Sequence, residues 1–158
     1  MTSSPTADHP EPAPDGLARL TGIDLAAEPV FLMVRAAALG SSTANQGLAP
    51  LGLKVRSYSI LAVACSGTGP TQRELGDLLR MRPSQTVAIL DELERRGLVE
   101  RRTDPRDRRS KTVVPTGPGR ELYARAKAAV DRAAETSLAA LPPQDREDLA
   151  RLLRRLAL

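Results

Sequence analysis

Two periodicities meet at Gly97. Before it, residues 83–96 place Thr86, Ile89, Leu90 and Leu93 at the spacing of one buried helical face. After it, residues 98–103 alternate apolar and charged side chains, and residues 111–115 do so more weakly, which predicts the two strands of a hairpin. A glycine just past the last turn is a common helix stop. The loop between the strands, residues 104–110, is too charged to be buried. A helix delivered directly into a charged hairpin restricts the folds available, and the rest of the chain is organised around it.

The charge of this stretch singles it out further. Residues 95–111 hold eight basic side chains (Arg95, Arg96, Arg101, Arg102, Arg106, Arg108, Arg109 and Lys111) against three acidic ones (Glu100, Asp104 and Asp107), a net +5, while the whole chain carries +4. Positive charge concentrated on one hairpin and the adjoining helix end is the footprint of a phosphate-binding surface. A solvated basic loop is the competing reading. The helix beside it favours nucleic acid, because a helix can read base edges in a major groove while a loop arginine fills the neighbouring minor groove.

The run LDELERRGLVERRTDPRDRRSKTVVPTGPGREL, residues 90–122, resembles the wing signature of the MarR family of bacterial transcription regulators. A leucine-bearing helix, a Gly-Leu-Val strand start, an Asp-Pro-x-Asp-Arg-Arg wing tip and a Thr-x-x-Gly-Arg helix start follow in the family's order. The resemblance implies a mainly α fold with a small β-hairpin wing, that is, a winged helix-turn-helix dimerised through its N- and C-terminal helices. It divides the chain into a disordered tail (residues 1–22) and one domain (23–158), with dimerisation helices at 23–50 and 118–158 around a winged helix-turn-helix at 54–116.

The flanking segments fit that plan. Residues 1–22 hold Pro5, Pro10, Pro12 and Pro14 and show no periodicity. A first helix is predicted from about Pro29, a favourable first-turn residue, to residues 45–47, with Phe31, Val34, Ala38 and Ser41 on one face. A second, residues 54–65, is nearly apolar all round from Ser59 to Cys65, as a centrally buried helix is. Thr71-Gln72-Arg73-Glu74 has the form of a capping box and opens a short helix to about Arg80, with Leu75, Leu78 and Leu79 inward. After the hairpin, Thr116 caps a helix running to about Leu141 with a stripe at Leu122, Ala126, Ala129, Ala133 and Ser137. Pro142-Pro143 breaks the chain before a last helix with Leu149, Leu152, Leu153 and Leu156 at i, i+3, i+4, i+7, a stripe that wants a partner helix.

Site residues follow from these placements. Arg82, Ser84 and Gln85, at the exposed start of the recognition helix, are the candidates for base and phosphate contacts. Arg106, Arg108 and Arg109 are the candidates for the minor groove and its flanking phosphates. Asp104 and Asp107 have the wrong sign to touch DNA, and are expected to hold arginine side chains extended for binding; ordinary exposed ion pairs are the alternative. In the family the first helix borders a ligand cavity. Arg35, the one charge in residues 29–46, would then counter an anionic effector, and Tyr58 would line a polar pocket. The plainer readings are an interface arginine and a core tyrosine.

Other functions find little support. The one histidine, His9, lies in the tail, and the one cysteine, Cys65, can form neither an intrachain disulfide nor a cysteine-based zinc site. No nucleophile motif, P-loop or metal-spaced cluster appears, so neither catalysis nor a cofactor is expected. Asp91, Glu92 and Glu94 read as a solvated helix face. With no membrane-length apolar run and no signal peptide, the chain is expected in the cytoplasm, on the nucleoid, without a membrane partner. Aromatics are 2% of the chain, so the core must be aliphatic and association with a second copy is expected. The resemblance implies a homodimeric repressor on a pseudo-palindromic duplex, released by a small aromatic or lipophilic acid. An effector-independent or architectural DNA-binding protein is the alternative.

Overall fold

The computed structural model describes residues 22–104 and 107–158. The expected tail, apart from Gly22, and the wing-tip candidate Arg106 lie outside the described residues. The chain falls into two compact units, one ending at Ala38 and one running Leu39–Leu158.

The first unit holds a 3-10 turn at Asp24–Ala27 and the first part of helix α1 (Pro29–Leu48). Proline at the first helical position costs nothing, since its missing N–H would have had no intrahelical partner. Phe31 is half-buried, whereas Val30, Leu32, Met33 and Val34 are exposed.

The second unit begins with the end of α1 and a 3-10 turn at Ala49–Leu51. It continues through α2 (Val55–Cys65), α3 (Gln72–Leu78), α4 (Pro83–Arg95), β1 (Val99–Thr103), β2 (Lys111–Pro115), α5 (Gly117–Ser137) and α6 (Pro143–Ala157). This is the mainly α architecture with a two-stranded wing that the sequence predicts. α2 packs against α4, α5 and β2. Its Ile60, Leu61 and Ala64 meet Leu48, Leu75, Leu90, Leu93, Val99, Val113 and Ala126 in one aliphatic core. Full burial of a leucine contributes about 2 kcal/mol. Leu90 and Leu93, both 0% exposed, therefore anchor α4 more firmly than any exposed ion pair on it.

The strands pair antiparallel from Val99–Pro115 to Thr103–Lys111, with Arg101 opposite Val113. Thr71 forms an isolated bridge to Thr112, and the Val113 N–H donates to the Pro70 carbonyl at 2.7 Å, so the segment entering α3 lies beside β2.

Two local expectations need correction. Leu78 is exposed, not inward: α3 ends there, and its inward row is Leu75 and, four residues on, Leu79. α5 stops at Ser137, short of Leu141, where the chain tightens into turns. Arg146 of α6 reaches back to the freed carbonyls, donating to Leu141 at 2.8 Å and Ala139 at 3.4 Å. The small-residue stripe does allow close approach. Ala126, Ala129 and Ala133 are buried, and a Cβ on Gly47 of α1 would lie 3.4 Å from the Ala129 carbonyl oxygen.

Candidate nucleic-acid interface

α3 and α4 form the helix-turn-helix, and the local sequence fixes each corner. At the start of α3, Glu74 N–H donates to Thr71 Oγ1 at 3.2 Å while Thr71 N–H donates to Glu74 Oε2 at 2.7 Å, the reciprocal box expected from the sequence. α3 closes with Met81 N–H on the Gly76 carbonyl (2.9 Å) and Arg80 N–H on the Asp77 carbonyl (3.3 Å), a Schellman turn. Arg80 stands at its left-handed position with φ of 50°. Gly76 lets the two helices close on one another: a Cβ there would lie 3.3 Å from Thr86 Oγ1. Thr86 is itself buried, its hydroxyl donating to the Arg82 carbonyl at 3.3 Å.

The start of α4 is open to solvent at Arg82, Ser84 and Ala88, with Gln85 half-buried. Arg82 occupies the N-cap and supplies no side-chain cap. Gln85 compensates: its Oε1 accepts the Arg82 N–H at 3.4 Å, leaving its amide NH2 to point elsewhere. Arg82, Ser84 and Gln85 thus present donors along a single helical turn.

The wing tip is a hydrogen-bonded turn. Asp104 N–H donates to the Ser110 carbonyl, Ser110 N–H to the Asp107 carbonyl, each at 2.9 Å, and Arg109 N–H to Asp107 Oδ1 at 3.0 Å. Asp107 therefore braces the backbone beneath Arg109. Asp104 is buried. Arg108, Arg109 and Lys111 are exposed, and none has an ion pair among the described residues.

The other basic residues of the stretch are committed elsewhere. Arg95 pairs with Glu92 and Arg102 with Glu100. Arg96 donates to the Gly52 and Leu51 carbonyls at 2.7 and 3.1 Å, tying the end of α4 to the loop before α2. Arg101 is held by Asp91 and Glu94. Burial opposes its charge, but hydrogen bonds and attraction from the two carboxylates outweigh burial and raise its pKa above the ordinary value. The +5 of residues 95–111 is thus drawn down by acids just outside that window. Asp91 and Glu94 are not the idle solvated face they resemble in sequence.

The structure adds residues that the sequence did not mark. A groove between the start of α3 and β2 is lined by Gln72, Arg73, Arg101, Arg109, Ser110 and Lys111. Gln72 and Arg73 lie far from Arg109 and Lys111 in sequence. The Thr71–Thr112 bridge and the Val113 N–H bond to the Pro70 carbonyl bring them beside the wing.

A second concavity, about 710 Å³, lies among the end of α1, the start of α2 and α4. Ser41, Asn45, Val55, Ala88 and Ile89 form much of its wall, and its charges are Lys54, Arg56 and Glu92. Asn45 Oδ1 accepts the Val55 N–H at 2.9 Å, fastening α1 to α2 at the rim. Tyr58 is not among the lining residues. It faces α5, stacked on Tyr123 with ring centroids 6.0 Å apart, and burial, with Tyr123 adding to it, raises its pKa. Arg35 is exposed within the first unit. The Cys65 thiol is pushed up by burial, with Arg120 opposing too weakly to reverse it, so it lacks thiolate character.

A family model described as the MarR family matches residues 51–110. A MarR-family transcriptional regulator from Rhodococcus sp. RHA1 is 38% identical, with 85% of this chain and 95% of that one covered and a TM-score of 0.80. CouR from Rhodococcus jostii RHA1, solved bound to p-coumaroyl-CoA, is also 38% identical over 85% of this chain and 94% of that one, with a TM-score of 0.77. A transcriptional repressor CouR bound to a 23-mer DNA duplex is 30% identical over 87% and 97%, with a TM-score of 0.78. A Thauera aromatica protein described as "Putative transcriptional regulatory protein for hcr operon" is 34% identical over 114 residues, which is 72% of this chain and 66% of that relative's length.

Proposed function

We propose, from the premise that this chain belongs to the MarR family of transcriptional regulators, that it is a homodimeric repressor which releases its operator on binding an aromatic acid carried as its coenzyme A thioester. Each protomer sets the start of α4 in a major groove, with Arg82, Ser84 and Gln85 on base edges and phosphates. Its wing lies in the adjoining minor groove, with Arg106, Arg108 and Arg109 as the basic side chains. Asp104 and Asp107 support the wing tip, and the protein works in the cytoplasm on the nucleoid.

The observation that carries this reading is the division of the basic side chains. The wing-tip arginines Arg108 and Arg109 have no ion pair among the described residues, while those nearer the core are neutralised. A dimer is supported by the unpartnered apolar side chains of α6, where Leu152, Leu153 and Leu156 are exposed, and of the first part of α1. Two copies on a two-fold axis call for half-sites about one helical turn apart. The effector reading rests on the cleft of about 710 Å³, which is of ligand size, has Lys54 and Arg56 for an anion, and is walled in part by α4 itself. The relative solved with p-coumaroyl-CoA, at 38% identity, directs the choice toward a thioester. A ligand in this cleft weakens DNA binding only by favouring a placement of α4 that the groove does not accept.

The test is selection of duplexes from a random pool by the full-length protein, followed by anisotropy titration of the enriched duplex. The expected results are a palindromic motif, a complex of two protein chains per duplex, and release by p-coumaroyl-CoA at lower concentration than by p-coumarate or salicylate. A non-palindromic motif bound by one chain would overturn the dimer. A complex indifferent to all three compounds would overturn the effector and favour a constitutive DNA-binding protein.

A further inference from the structure

Beyond the shared core, Arg101 ties the wing to α4 through its side chain. Arg101, in β1, has a side chain only 20% exposed. One terminal nitrogen of its guanidinium donates to Asp91 Oδ1 at 2.6 Å, and the other donates to Glu94 Oε2. The remaining oxygen of Glu94 accepts the backbone N–H of Arg101 at 3.1 Å. Asp91 and Glu94 stand one turn apart on α4, so a planar guanidinium can span them, which an ammonium point charge cannot do in the same way. Across the hairpin Arg101 faces Val113, which is fully buried and bonded through its N–H to Pro70. The clamp therefore fastens α4 to the strand pair at a point where the strands are themselves fixed.

The clamp also assigns charge. Asp91 and Glu94 would otherwise stand as unpaired acids on the helix proposed to enter DNA. Arg101 is occupied by them and is not offered to phosphate.

We propose that Arg101 is a positioning residue for DNA binding: it sets the angle between the wing and α4, so that the wing-tip arginines reach the minor groove only in register with a seated recognition helix. This rests on the DNA-binding reading above. The coupling acts through geometry, since the Arg101 guanidinium is engaged by Asp91 and Glu94. Removing one arm of the clamp should weaken binding even when the change removes a negative charge. Simple electrostatics predicts the opposite sign, because losing an acid near DNA strengthens attraction to phosphate.

The experiment uses the full-length protein and the duplex it enriches from a random pool, with affinities read by anisotropy at fixed salt. Asp91→Asn and Arg101→Met are compared with wild type, each with and without Arg109→Ala. The expected result is that Asp91→Asn lowers affinity about threefold and Arg101→Met about tenfold. Arg109→Ala, costing about tenfold in wild type, should cost less than about twofold in the Arg101→Met background, since a misaligned wing has little left to lose. Asp91 is exposed, so its variant carries the sign test even if Arg101→Met does not fold. Tighter binding by Asp91→Asn, or an Arg109 effect of equal size in both backgrounds, would overturn the clamp while leaving the DNA-binding reading intact. A pool from which wild type enriches nothing would overturn that reading, and the role of Arg101 with it.

Discussion

A Cβ placed on Gly119 would lie 1.9 Å from the backbone carbonyl oxygen of Leu98. That carbonyl is not free to move: it accepts the Thr116 N–H at 3.1 Å, and Thr116 in turn donates its hydroxyl to Gly97 at 2.6 Å and caps α5 through the Gly119 N–H at 3.1 Å. The exit from α4 and the entry to α5 are thus one joint, closed by a helical residue without a side chain. Gly119→Ala should destabilise the protein by about 3 kcal/mol, the upper range for overpacking against a fixed group. Gly117→Ala, with open space around its Cβ, should fall within about 1 kcal/mol of wild type. Urea unfolding of the two variants tests this, and equal midpoints would refute the joint.

Arg80 sits at φ 50° in the turn between α3 and α4, where glycine is the usual occupant. The left-handed conformation costs an L-residue roughly 1 kcal/mol, and the greater freedom of glycine in the unfolded chain returns about half of that. Arg80→Gly should therefore raise the urea midpoint, stabilising by about 0.5 kcal/mol with an unchanged slope. It should also weaken operator binding, because the guanidinium is exposed beside Arg82 at the helix-turn-helix corner. A variant that is both less stable and equally tight in binding would show the position to be unstrained and idle.

The stretches legible in the sequence are those whose partners lie close along the chain. The Thr71–Glu74 box, the Gly97 stop, the Thr116 cap and the strand Lys111–Pro115 all follow from residues within a turn or two of one another. The charge of the hairpin was harder to read, because the acids that neutralise Arg101 lie seven and ten residues back on a helix, outside the basic run. The groove that joins Arg73 to Lys111 depends on a bridge between Thr71 and Thr112, and nothing local signals it. The cleft beside α4 draws on α1, α2 and α4 together, and so Lys54 and Arg56 did not stand out where Arg35 and Tyr58 did. Arg146 of α6, bonded to the carbonyls of the turn after α5, is a further contact between elements that no local pattern signals.

Cys65 should label slowly. Burial raises the pKa of its thiol, and the nearby Arg120 charge only reduces the shift. At any pH below its pKa the thiolate fraction is then smaller than that of a free thiol, and the thiolate is the reacting species. The rate of iodoacetamide labelling in the folded protein should rise with pH through a midpoint above that of a model thiol, and Arg120→Gln should move the midpoint up further. A midpoint below the model thiol would mean an activated cysteine.

Arg102 and Arg109 are both exposed wing arginines, and the structure separates them. Arg102 is paired with Glu100, whereas the Arg109 side chain has no ion pair among the described residues and borders the groove shared with Arg73 and Lys111. Each phosphate neutralised by a bound cation contributes about one unit to the slope of log affinity against log salt. Arg109→Ala should therefore lower the slope by about one unit per protomer and weaken binding to specific and non-specific duplexes alike. Arg102→Ala should change the slope by well under one unit, since its charge is already offset before DNA arrives. Affinities measured across a salt series on the enriched duplex decide the matter. Equal slope changes for the two variants would mean that the Glu100 pair opens on binding and that the division of wing charge seen in the free protein does not persist in the complex.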